Sequence, residues 1–189
     1  MPSTDSESKE TLLAKVLVFA ARDGIADRSL REIAANVGTS HRMLLYHFGS
    51  REGLLAAIVG AMEAQQRAAM ADMAESGDPA DLMLRLWKQV SSPELRPFVR
   101  LFFEVFALAT RGAPGTERLL AGLTSAWIDD AMAVAEQIGV PAEPAAMRLG
   151  VAVSRGLLLD LLAGAPEADV DAAYELFLKS YECLRASST

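Results

Sequence analysis

The segment Ser29 to Leu55, SLREIAANVGTSHRMLLYHFGSREGLL, holds three helix starts and a glycine turn in a short stretch. Neither one long helix nor a strand can run through it. Ser29 and Glu32 have the S-x-x-E spacing of a capping box, in which each side chain satisfies an orphan amide at the helix start. Leu30, Ile33, Ala34 and Val37 then recur at i, i+3, i+4 and i+7, one apolar stripe that needs a core beneath it. Gly38 ends that helix. Thr39 or Ser40 caps the next, which closes near His47. Ser50 caps a fourth, with Glu52 favourably placed at its positive end.

The rest of the chain reads as helical as well, since no segment shows sustained period-2 alternation between turn residues. The first helix is expected from about Glu10 to Arg22, with Leu13, Val16, Leu17 and Ala20 on one face and Gly24 as its stop. The fourth carries Leu54, Leu55, Ile58, Val59 and Met62 and extends to about Ala74. A composition break follows at Glu75-Ser-Gly-Asp-Pro79, with Asp78-Pro79 a helix-start pair. Because the fourth helix must serve both parts, the boundary is expected near Gln65: residues 1–65 as one domain, 66–189 as the other. Met83, Leu86, Trp87 and Val90 mark the next helix. Ser91-Ser92-Pro93 breaks it, and an aromatic-rich helix follows over Phe98 to Thr110. After a loop at residues 111–115, one long helix is expected from Thr116 to Ile138, stopped by Gly139 and Pro141. Two more cover Pro144 to Ala163 and Val170 to Leu184. The fold class is all-α.

Composition sets outer limits. With 51% hydrophobic and 23% charged residues, the chain can bury a sizeable core. The single cysteine, Cys183, rules out a disulfide within one chain. With a short acidic N-terminus that has no apolar stretch, this points to a soluble protein of the reducing cytoplasm. The longest apolar run, Leu149 to Ala163, is interrupted by Ser154, Arg155 and Asp160 and falls short of the ~20 residues of a membrane span. A formal net charge of −7 argues at first against an anionic partner. Residues 1–58, however, hold seven basic and seven acidic side chains, so the whole deficit lies downstream. A neutral head can bind DNA through a local patch, but it should bind non-specific DNA weakly.

Two short helices about a glycine turn let one helix enter the DNA major groove while the other braces it. On that reading Ser40, His41, Arg42 and Met43 face the base edges. Arg42 can donate a bidentate pair to guanine, worth roughly 1–3 kcal/mol of discrimination. His41 can donate to a base or a phosphate, and Met43 can touch a thymine methyl. Leu44 and Phe48 hold the inner face, while Tyr46 and His47 beside it can reach phosphates. Arg51 sits in the first turn of the next helix, where free amides already favour an anion. The plainer alternative is a solvated arginine and a core Tyr-His-Phe triplet. It explains each residue singly but not the consistent spacing of caps, stripes and turn.

From about Thr11 to Ile58 the chain resembles the DNA-binding domain of the TetR family of bacterial transcriptional regulators. The likeness rests on Ser29-Leu30-Arg31-Glu32-Ile33-Ala34, Val37-Gly38, Leu44, Tyr46-His47-Phe48 and Ser50-Arg51-Glu52-Gly53-Leu54-Leu55. It implies a homodimer on a palindromic operator, with Ser29, Tyr46, His47 and Arg51 on phosphates and Arg31, His41, Arg42 and Met43 near bases. Two positions depart from the family pattern. Arg42 stands where a small residue is common and suggests a distinct, guanine-richer operator. Leu45 stands where an aromatic is common and removes a phosphate contact.

The resemblance also implies that the remaining chain binds a small effector and forms the dimer. The Pro144–Ala163 helix is apolar nearly all round and must be buried on more than one side. With the final helix (Val170, Ala173, Phe177, Tyr181, Leu184) it is expected to build a four-helix dimer interface. Met83, Trp87, Phe98, Phe102, Phe103, Phe106, Trp127 and Met132 are candidate linings of an apolar effector pocket, with Arg155, Glu104 or Asp160 to orient the ligand. Plain core packing is the competing account of those aromatics. An enzyme is disfavoured: both histidines, His41 and His47, fall in the DNA-reading segment, and no phosphate loop or Cys/His metal spacing occurs. No metal or cofactor is expected. The reading is therefore a DNA-binding repressor released by a small apolar effector; the alternative is a helical interaction protein that does not bind DNA.

Overall fold

The computed structural model describes residues 4–25, 27–74 and 79–187. Its helices are α1 (Thr4–Asp23), α2 (Leu30–Val37), α3 (His41–Phe48), α4 (Arg51–Met73), α5 (Pro79–Val90), α6 (Arg96–Thr110), α7 (Glu117–Gly122), α8 (Ser125–Gln137), α9 (Pro144–Ala163) and α10 (Glu167–Ser187). A 3-10 turn at Pro93–Leu95 precedes α6. No strand occurs among the described residues, so the fold is all-α. The break at residues 75–78, with Asp78, lies outside the described residues, as does the side chain of Leu184. No helix among the described residues is long and apolar enough to cross a membrane.

The chain forms two compact units. One comprises Met1–Glu63 with Leu101–Ala121, the other Ala64–Arg100 with Gly122–Thr189. Helices α4 and α6 each contribute residues to both.

In the first unit α1 packs on α2 and α2 on α3. The buried stripe of α1 is Leu12, Val16 and Phe19, at i, i+4 and i+7. Leu13, Leu17 and Ala20, expected inside with Val16, are only half-buried, because the true face is centred a residue earlier and includes Phe19. Leu30, Ile33 and Ala34 of α2, Leu44 and Phe48 of α3, and Leu54, Leu55, Ile58 and Val59 of α4 complete the core. Each large aliphatic there contributes roughly 1.5–3 kcal/mol of transfer free energy. The Lys9 ammonium adds a cation–π contact, 5.4 Å from the centroid of the Phe48 ring.

In the second unit α10 packs on α9 and α5, and α8 on α9. One cluster joins Trp87, Leu161, Val170, Tyr174 and Leu178. Trp87 is 1% exposed and stacks on Tyr174 with ring centroids 4.5 Å apart. Its indole N–H donates to Asp171 Oδ1 at 2.7 Å, so the one polar atom of the ring is satisfied. A second cluster joins Met70, Ala74, Leu82 and Val134.

Two expectations need correction. The long helix over residues 116–138 is two helices, α7 and α8, separated by a turn at Leu123–Thr124. Arg155 of α9 donates to the Leu123 carbonyl at 2.7 Å and to Thr124 Oγ1 at 2.8 Å, satisfying the backbone that the break releases. On α10, Val170 and Tyr181 are buried in the chain's own core and so cannot face a partner, whereas Ala173 is exposed.

Burial raises the pKa of the Asp171 carboxyl, but hydrogen bonds from Lys88 and Trp87 and the Lys88 charge outweigh it and hold the group below its usual value. Such a group stabilises the fold above its unfolded-state pKa, and that contribution is lost as pH falls through the lower native value. Asp171→Ala strands the buried Trp87 N–H and is expected to cost about 1–3 kcal/mol at pH 7 in urea unfolding. The gap from the parent protein should narrow as pH drops below the usual carboxylate range.

Candidate nucleic-acid interface

The local chemistry of α2 and α3 is capping. Glu32 N–H donates to Ser29 Oγ at 3.3 Å, and Ser29 N–H donates to Glu32 Oε2 at 2.8 Å. The capping box is thus complete, and hydrogen bonding to its carboxylate from the Ser29 backbone N–H, and then from the Ser29 side chain, holds the Glu32 carboxyl below its ordinary pKa. Gly38 turns the chain in the left-handed region, φ 71° and ψ 37°. The Thr39 N–H then returns to the Ala34 carbonyl at 2.9 Å. Ser40, one of the two caps the sequence allows, takes the next helix start, its Oγ accepting from Met43 N–H at 3.2 Å. Leu44 and Phe48, one turn apart, anchor the inner face of α3 in the core.

The outer face of α3 is open. Arg42, Met43, Leu45 and Tyr46 are exposed, Tyr46 at 64%. His41, the first residue of the helix, is half-buried, as is His47, whose ring meets Tyr46 edge-on at 5.0 Å. Arg31 is exposed in the first turn of α2, beside the Ser29 cap. Ser29 and Ser40 spend one acceptor each on backbone amides while their residues stay exposed. Arg51 has a structural task that its place in the sequence did not reveal. Its Nε donates to the Arg28 carbonyl at 3.0 Å, pinning the α1–α2 connection to the start of α4.

The α3–α4 turn is also clamped by residues far along the chain. Ser50 Oγ accepts from Gly53 N–H at 2.9 Å and donates to the Pro114 carbonyl at 2.7 Å. Backbone contact there is close: a Cβ added to Gly115 would lie 2.8 Å from Gly53 Cα, and one added to Gly53 would lie 2.1 Å from the Phe48 carbonyl oxygen. Thr116 is buried behind the loop and donates to the Ala113 carbonyl at 2.6 Å. The sequence marks residues 111–115 as a loop but carries no local sign of what it touches.

The candidate effector residues are divided between the two units. Phe102, Phe103 and Phe106 belong to the first unit, with Phe102 edge-on to Phe103 at 5.2 Å and parallel to Phe106 at 6.3 Å. Phe98, half-buried on α6, belongs to the second unit with the others. Trp87 is core, and Met83 packs against it and lends its carbonyl to the Tyr174 hydroxyl at 3.3 Å. Trp127 is half-buried against the second cluster. Met132 lines a surface depression with Glu136, Val140 and Ala142. Arg155 is engaged at the α7–α8 turn. Among the described residues no group of three or more His, Cys, Asp or Glu side chains is placed to hold a metal ion.

A capped helix, a left-handed glycine turn and a second capped helix with an anchored inner and open outer face define the helix-turn-helix class. Residues 18–58 match the family model of bacterial regulatory proteins, tetR family. Solved structures match over nearly the whole chain. A TetR-family transcriptional regulator from Pectobacterium atrosepticum superposes with a TM-score of 0.70 at 20% identity, covering 96% of this chain and 97% of its own. A putative TetR-family regulator from Rhodococcus sp. gives 0.65 at 23% identity, covering 94% and 98%. The multidrug binding protein EbrR, solved with imidazole, gives 0.65 at 20%, covering 93% and 89%. No curated protein sequence matches. The whole chain thus has the fold of TetR-family transcriptional regulators.

The Ser50–Pro114 clamp makes a test of its own. Gly115 has φ +87° and no room for a Cβ, whereas Gly112 has φ +72° and open space around it. Gly115→Ala is expected to lower stability by more than the roughly 1–3 kcal/mol of backbone strain alone that Gly112→Ala suffers. Hydrogen exchange should locate the added loss at the amides of residues 50–53.

Proposed function

We propose that the chain is a sequence-specific DNA-binding repressor, released from a palindromic operator by a small effector. The observation that carries the DNA reading is the outer face of α3. Arg42, Met43 and Tyr46 project from a helix whose inner residues are fixed in the core, with Arg31 exposed on the bracing helix. Arg42 is the base reader: its fork suits guanine O6 and N7. Tyr46, His41 and His47 take phosphates, with Ser29 and Ser40 lending hydroxyls. Arg51 serves first as a brace. The first unit carries nine basic and ten acidic side chains, so its hold on DNA depends on local geometry more than on bulk charge.

Two outcomes test this in a mobility shift with the DNA upstream of the chain's own coding region. Arg42→Ala is expected to relax sequence choice by about 1–3 kcal/mol at one base pair. Tyr46→Ala should instead weaken all sequences alike. Identical behaviour of the two variants would overturn these roles, and no shift at low salt would favour the alternative of an interaction protein without DNA binding.

The dimer is assigned to α9 and α10. On α9, Ala145, Leu149, Ala152, Gly156, Leu159 and Ala163 recur at helical spacing and are all exposed, Leu159 at 53%. On α10, Ala172 and Leu176 do the same, Leu176 at 65%. Small residues allow close helix approach, and the leucines supply apolar area that a soluble monomer would leave wet. Sedimentation equilibrium should give a dimer at micromolar protein, and Leu159→Glu with Leu176→Glu should give a monomer that loses operator binding. The second unit is the effector domain, and a coupling of about 1–3 kcal/mol between ligand and operator suffices for a 5–150-fold change in affinity. The relatives' fold supports this placement, and the apolar character of the helices there supports a ligand with an apolar body.

A further inference from the structure

Polar side chains buried in the second unit mostly have partners, as Trp87 has Asp171 and Arg155 has the α7–α8 turn. Two glutamines stand apart. Gln66 of α4 is 7% exposed, and its Oε1 is buried without a donor. The Oε1 of Gln89 on α5 is likewise buried and without one. A buried amide oxygen left dry costs about 1–3 kcal/mol, and native interiors seldom tolerate it without a reason.

The helix register places the two glutamines on the faces of α4 and α5 that contribute to one cluster. Gln66 is one turn before Met70 and two before Ala74, on the face of α4 that enters the Met70–Ala74–Leu82–Val134 cluster. Gln89 is one turn beyond Leu86 and two beyond Leu82, on the corresponding face of α5. Both therefore extend that cluster at its end away from the α4–α5 connection. Around the cluster the cover is apolar and incomplete, with Leu86 and Trp127 only half-buried. Turning either amide over is no remedy, because it would bury an NH2 group and strand two donors in place of one acceptor.

We propose that this end of the cluster is the effector site, and that its ligand combines a flat apolar body with an N–H or O–H donor received by Gln66 Oε1 and Gln89 Oε1. The apolar effector expected from the resemblance and its aromatic candidate lining is thereby refined to an amphipathic donor molecule, an aromatic amine or phenol in class. The selectivity follows from the cost of the orphan oxygens: a ligand without a donor leaves them unpaired, while one with a donor relieves them. This inference rests on the effector reading, but its test needs no DNA.

The full-length protein is titrated with 1-aminoanthracene and, separately, with 1-methylanthracene, two rings of like size of which only the first carries N–H donors. Probe and tryptophan fluorescence report binding. The amine is expected to bind at least about tenfold more tightly, equal to about 1.4 kcal/mol. Gln66→Leu and Gln89→Leu should each bring the two probes toward parity, and Gln66→Leu should raise the Tm of the free protein by removing the orphan. If Gln66→Leu does not fold by circular dichroism, the unbranched Gln66→Met takes its place. Equal affinity of the two probes, binding of neither, or an amine preference intact in both variants would overturn the proposal. Absence of an operator shift beside an intact amine preference would instead remove the repressor reading and leave this site standing.

Discussion

The structure depends on the burial of Leu44 and Phe48 at the inner face of α3. An eight-residue helix has too few internal hydrogen bonds to offset its nucleation cost in water. It persists because those two side chains enter a core shared with α1, α2 and α4, and because Ser40 and the turn at Gly38 satisfy or redirect the backbone on either side. That same anchoring frees the opposite face. With two positions fixed inward, helical geometry leaves Arg42, Met43 and Tyr46 no direction but outward.

The second unit follows a different economy of polar groups. Its core accepts an indole, a guanidinium and a phenol, each placed so that its polar atom finds a carboxylate, a carbonyl or a hydroxyl. Against that pattern the oxygens of Gln66 and Gln89, buried without a protein donor, stand out. Trp87 and Arg155 look like ligand contacts in a linear reading, since large aromatic and charged residues on apolar helices suit a pocket. In the folded chain they are consumed by the protein itself. Nothing in the sequence marks the two glutamines, because an isolated Gln on a helix is usually solvated.

Much of the first unit was legible in advance. Capping residues act on amides three positions away and glycine acts on its own φ, so Ser29, Glu32, Gly38 and Ser40 could be assigned their tasks from local spacing alone. The stripe of α1 lies a residue away from the face its spacing favours because Phe19 and Leu12 compete with Leu13 and Leu17 for the core, and only packing decides between adjacent apolar faces. The α7–α8 break is hidden from a linear reading for a similar reason. Leu123 and Thr124 carry no strong stop signal, and the turn is supported by Arg155, thirty-one residues beyond Thr124.

The amino-acid order by itself determined the all-α class, the two short capped helices and the glycine turn between them, because these rest on interactions within one or two helical turns. Tertiary structure alone decided that Arg51 braces Arg28, that Ser50 grips Pro114, and that Val170 and Tyr181 face inward while Leu159 and Leu176 remain outside. Those outcomes depend on which surfaces meet across long stretches of chain. Such contacts are selected by the summed burial of many side chains, and no local pattern encodes that sum.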